Sequence, residues 1–111
     1  MSEERRGLRF PFEADAEVAP EASPSATITA KVRQIGLHGC FLETGSPFAP
    51  QTAVLLKIFK PGDYFEAKAT VVHVQPPTGM GLAFRELKPN FRGVLQKWLL
   101  AAMRTDAVKS S

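Results

Sequence analysis

Cys40 is the only cysteine in 111 residues, so neither an internal disulfide framework nor a cysteine-based zinc site is available. No run approaches the ~18 apolar residues of a membrane-spanning helix. The opening Met1-Ser2-Glu3-Glu4-Arg5-Arg6 leads into no apolar stretch that could serve as a signal peptide. The cytosol is therefore the expected compartment. Catalytic signatures are missing as well: there is no Gly-x-Ser-x-Gly elbow, no Walker loop and no dinucleotide fingerprint. The histidines, His38 and His73, lack the His-x-x-x-His or cysteine-bearing spacing that would hold a metal. A lone strand histidine is more often a half-buried or surface residue than a base. Cys40, following a turn into an apolar strand, reads as a small buried hydrophobe. The expectation is a protein that is not an enzyme and that carries neither metal nor cofactor.

What is present is one domain's worth of chain, since independent domains usually need roughly 100 residues. The hydrophobic share of 44% and charged share of 23% are those of an ordinary globular protein. From Phe10 to Val18 the residues alternate, with Phe10, Phe12, Ala14, Ala16 and Val18 on one face and Pro11, Glu13, Asp15 and Glu17 on the other. This is a half-buried strand. A proline-bearing connection over residues 19–25 leads to a second strand, residues 27–34, with Ile28, Ala30 and Val32 inward. Gly36 and Gly39 break that strand and Cys40 to Thr44 resumes it, the spacing of an antiparallel pair around a tight turn. Further strands are expected over 53–59, 64–74 and 80–87, separated by Pro61-Gly62-Asp63 and Pro76-Pro77-Thr78-Gly79. Six short strands at near-regular spacing predict an all-β domain, either a small closed antiparallel barrel or a sandwich.

The period then changes. Phe91, Val94, Leu95, Trp98, Leu99, Ala102 and Met103 line one stripe of a helix, preceded by Pro89 and capped at Asn90. The stripe has to be covered, either by the strands or by a partner. The reading divides the chain into an Arg-rich arm, residues 1–9, a single domain with its helix, residues 10–104, and a tail, residues 105–111.

Two clusters carry recognition chemistry. Arg5, Arg6 and Arg9 stand together before the first strand. An arginine fork grips phosphate oxygens in pairs, and its flat face stacks on purines. The plain alternative is a solvated arm partly neutralised by Glu3 and Glu4. The second cluster is Gln34-Ile35-Gly36-Leu37-His38-Gly39, whose glycines allow unusual backbone conformations and close approach of a flat ligand to the main chain. Its plain alternative is turn geometry alone. A barrel for single-stranded nucleic acid is a further reading, but Phe10, Phe12, Phe41 and Phe59, which would have to stack the bases, fit the core better.

Together these features resemble the PilZ domain family from about Glu4 to Met103. Arg5-Arg6-Gly7-Leu8-Arg9 looks like its Arg-x-x-x-Arg arm, with Arg5 and Arg9 at the arginine positions. Residues 34–44 look like its Asp/Asn-x-Ser-x-x-Gly signature followed by an apolar strand. Gly79-Met80-Gly81-Leu82-Ala83-Phe84 resembles its closing strand. The resemblance implies a six-stranded antiparallel β-barrel with a C-terminal α-helix that binds cyclic-di-GMP. The ligand residues it implies are Arg5 and Arg9 as a clamp, Gln34 and Gly36 at the polar positions, and Gly39 as the residue that keeps the turn in shape. Here Gln34 stands where the family has Asp or Asn, and Gly36 where it has Ser. Glutamine keeps an amide that donates and accepts, whereas glycine cannot replace a hydroxyl. A receptor for cyclic-di-GMP and a degenerate domain that acts only through protein contacts are both implied. At this length no effector domain is expected, so output in either case would pass through a downstream protein.

Overall fold

The computed structural model describes residues 9–75 and 78–110, with the backbone alone for 105–110. Alternation of apolar and acidic residues produces β1 (Phe10–Pro20), and the strands that follow are β2 (Ile28–Ile35), β3 (Gly39–Glu43), β4 (Ala53–Lys60), β5 (Asp63–Gln75) and β6 (Gly79–Glu86). All pair antiparallel, in the cyclic order β1-β2-β3-β6-β5-β4, and β4 pairs back onto β1 through Asp15↔Phe59 to Pro20↔Val54. Of the two architectures open to the sequence, the closed barrel is the one formed. Gly62, with φ of +85°, makes the tight β4–β5 turn, a conformation that costs glycine little.

Val32, Ile35, Leu42, Val54, Ile58, Phe65, Val71 and Leu82 fill the barrel and are fully buried. Strand parity accounts for most of them, but β2 departs from strict alternation. A bulge between Val32 and Gln34 places two residues, Arg33 and Gln34, against Phe41 alone. The extra residue reverses the phase. Ala30 and Val32 point inward as expected, Gln34 turns out to solvent, and Ile35 turns in.

The last element, α1 (Pro89–Ser110), lies across β1 and β5. Its start is two positions before the sequence expectation. The Lys88 carbonyl accepts the Phe91 N–H at 2.9 Å and the Arg92 N–H at 3.2 Å, so Lys88 caps the helix and Asn90 lies inside the first turn. Pro89 takes the first helical position, where the missing N–H is no loss. Leu95, Trp98 and Leu99 are buried against the barrel, which covers the apolar stripe from within the chain. The Trp98 ring sits 5.2 Å from Phe12 and 5.7 Å from Phe65, and its indole N–H donates to Asp63 Oδ2 at 3.2 Å. Cover ends before the stripe does, since Met103 is 47% exposed. The helix also continues through residues 105–110, which the sequence assigns to a tail.

Candidate functional site

Arg9 immediately precedes β1 and is the first residue described. Its Nη2 donates to the Leu82 carbonyl of β6 at 3.4 Å. Beneath it is Gly39, at the end of the β2–β3 turn. A Cβ on Gly39 would stand 2.1 Å from the Leu82 oxygen and 2.9 Å from Arg9 Nη2. Glycine is therefore required there by close approach of backbone and guanidinium. The expectation that Gly36 and Gly39 adopt conformations closed to other residues is not met, because Gly62 is the one glycine at positive φ among the described residues. Gly36 serves the turn through its N–H, which donates to the Gly39 carbonyl at 2.8 Å. The His38 carbonyl accepts the Phe84 N–H at 2.8 Å and ties the same turn to β6.

An open cavity of about 640 Å³ lies on the outer face of the barrel beside Arg9. The start of β1 supplies Arg9 and Pro11, and the bulge in β2 supplies both Arg33 and Gln34. Phe41 comes from β3, and His73 and Gln75 come from β5. Between β3 and β5 runs β6, where Gly81 pairs with Phe41 on one side and His73 on the other. With no side chain on Gly81, the two rings close over it at a centroid distance of 6.2 Å and an interplanar angle of 23°.

The charges in the site are held differently. Arg33 is bonded to Glu43 and to Glu13, the latter at 2.9 Å, and the Glu43 contact first and Glu13 second hold its guanidinium above the usual value. The pair is exposed and screened by solvent. Arg9 has no carboxylate partner among the described residues. Cys40 lies behind the site, fully buried. Burial pushes its thiol up to about 12, with the positive charge of Arg9 opposing, which leaves it a protonated packing group.

Of the residues singled out from sequence, Arg9 and Gln34 face the same cavity and Gly39 seats Arg9. Gly36 is buried in the turn, and Arg5 lies outside the described residues. Arg33, Phe41 and His73 were not singled out as site residues. The parity of Cys40 and Leu42 carried the signal for Phe41, because two inward neighbours force it outward. Phe41 and Phe59, both expected in the core, face out, Phe59 being 37% exposed. Phe12 is in the core and Phe10 packs against it. Two guanidinium groups, two amides and two flat rings around one opening suit an anion joined to a planar heterocycle.

A sequence model described as PilZ domain matches residues 3–101. Curated proteins give no match. Among solved structures, the PilZ domain with c-di-GMP of YcgR from Escherichia coli has a TM-score of 0.69 at 14% identity, covering 93% of this chain and 94% of that one. The PilZ domain of CeSA from a cellulose-synthesizing bacterium has a TM-score of 0.66 at 14% identity, covering 85% of this chain and 96% of that one. The Bacillus subtilis inhibitor of motility MotI/DgrA has a TM-score of 0.72 at 21% identity, covering 94% of this chain and 52% of that one. These are likenesses of fold.

Proposed function

The chain belongs to the PilZ domain family, and from that premise we propose that it is a receptor for cyclic-di-GMP, acting without catalysis in the cytosol. The arm with Arg5 and Arg9 clamps the ligand's phosphates and bases, and Gln34 contacts a base edge from the barrel. The observation that carries this reading is Arg9, a guanidinium seated over Gly39 on the rim of an open cavity with no carboxylate partner among the described residues. A structural arginine would be expected to have such a partner.

Binding and signalling are one step in this reading. The arm closes over the nucleotide, and the charge-assisted contacts exist only in the closed state. That difference in affinity between two arm positions is what a ligand needs in order to shift a population. A downstream protein then reads the altered surface. The YcgR neighbour is a PilZ domain with c-di-GMP, and MotI is an inhibitor of motility. Both agree with a receptor that works through another protein.

A second reading has one observation in its favour. Gly36, at the family's serine position, brings no hydroxyl and is buried in the turn. If binding depends on that contact, the domain is an interaction module that has lost its nucleotide. Calorimetric titration decides between them. Heat and saturation with micromolar cyclic-di-GMP support the receptor; a flat trace on folded protein leaves the interaction module.

A further inference from the structure

One row of the sheet crosses the cavity from β3 through β6 to β5, and its three residues are Phe41, Gly81 and His73. The row is built around the missing side chain at its centre. The His73 imidazole fills the space a side chain on β6 would take, Cε1 standing 2.2 Å from the position of a Gly81 Cβ. Phe41 lies alongside it at 6.2 Å. Gly79, one step along β6, is different: a Cβ there would meet the Leu42 carbonyl oxygen at 2.0 Å before the Phe41 ring at 3.0 Å. Gly81 thus leaves room for the His73 ring beside Phe41 on the barrel surface. Surface aromatics gain nothing in stability from an exposed face, and this pair faces an opening rimmed by Arg9, Arg33, Gln34 and Gln75.

We infer that Phe41 and His73 form a stacking platform for a purine base of the ligand, with Arg9 directed to its phosphates and the two glutamine amides to the base edge. Aromatic faces hold bases by stacking, which tolerates any base because each has a π-face and adds affinity without needing a matched hydrogen bond. The platform compensates for the polar contact missing at Gly36. It also assigns work to Phe41, in the apolar strand that follows the second signature, and to His73, outside every signature. The inference rests on the reading of the cavity as a nucleotide site, and the test separates the two.

Titration of cyclic-di-GMP into the wild type, Phe41→Leu, His73→Ala and Gly81→Ala is read by calorimetry, and the wild type is followed by proton NMR. Loss of one stacked ring is expected to weaken binding about 5- to 150-fold. Gly81→Ala is expected to do the same by tilting His73. In the wild type the base proton H8 and the ring protons of Phe41 and His73 should shift upfield together, while ribose 5-phosphate, a phosphate without a base, should leave the rings unmoved. Equal binding by wild type and variants overturns the platform and leaves the receptor reading intact. If cyclic-di-GMP gives no heat, guanosine 5′-monophosphate at millimolar concentration becomes the NMR probe. Upfield ring shifts then uphold the platform while the receptor reading falls, and unmoved rings overturn both.

Discussion

Gly39→Ala is the substitution whose cost the geometry sets most tightly. The added methyl would stand 2.1 Å from the Leu82 carbonyl oxygen and 3.1 Å from its carbon, both main-chain atoms of the neighbouring strand. Neither can rotate away. Gly39 pairs with Ala83, so relief requires β3 and β6 to part at that rung or the β2–β3 turn to move. Forcing an extra carbon into a packed site costs about 1–3 kcal/mol. For a domain near this size each kcal/mol lowers Tm by about 4–8 °C, so a fall of roughly 5–20 °C is expected in a thermal melt followed by circular dichroism. Gly81→Ala is the matched control. Its methyl would meet an atom just as near, 2.2 Å away, but that atom is the tip of the exposed His73 side chain, which can swing outward. Its effect on stability should stay within about 0.5 kcal/mol. Equal melting temperatures for the two variants, or an unchanged Tm for Gly39→Ala, would refute the claim that backbone approach is what demands glycine at the turn.

Arg9→Ala should leave the melting temperature within a few degrees of the wild type and weaken cyclic-di-GMP binding by at least about tenfold, since a hydrogen bond to a charged group is worth about 1.5–3 kcal/mol; calorimetry reads the binding. Restoring the family pattern with Gln34→Asp and Gly36→Ser should tighten binding by up to about tenfold for one regained hydrogen bond, and an unchanged affinity would place the polar contacts elsewhere. Alkaline pH should destabilise the fold. Burial raises Cys40 to about 12 from 9.0, and burial with the Glu66 hydrogen bond raises Tyr64 to about 12 from 10.0. Both folded-state values exceed the unfolded ones, so the stability they lend is complete below pH 9 and declines from there to about pH 12, which urea melts at pH 8 and pH 10.5 would reveal. Acid should destabilise it for the opposite reason. Hydrogen bonds from Lys97 and then Trp98 hold Asp63 below its usual 3.8, so its contribution is present above that pH and lost as the pH falls further. Asp63→Asn should flatten the acid limb of the same melts.

Periodicity was enough to read the strands and the helix, because each element buries one face and its residues repeat accordingly. It was not enough at Gln34. Alternation counted from Ile28 puts Gln34 inward, and only the bulge, which depends on pairing with β3 and β1, turns it toward the cavity beside Arg33. The arginine arm was legible as charge without apolar commitment, but the seat of Arg9 depends on Leu82, 73 residues away. The same limit applies to Phe41 and His73. The parity of Phe41 between Cys40 and Leu42 turns it outward, His73 shares the parity of buried Val71 and is turned out by the register shift between them, and only the order β3-β6-β5 makes the two neighbours. The helix start was missed for a local reason: Asn90 is a good capping residue, but Pro89 before it already fits the first helical position, which moves the cap back to Lys88.

The hydrogen-bonded ring of strands also limits how any partner could engage this molecule. Every strand has two neighbours, although β1 outruns its pairing with β4 before Asp15, so a visiting peptide finds no full-length strand edge to extend, and recognition by strand addition is disfavoured. A protein that senses the domain has to read side chains on the rounded outer wall or along the terminal helix. The same closure leaves growing aggregates little template, so the domain can display an open face without also displaying a long sticky border.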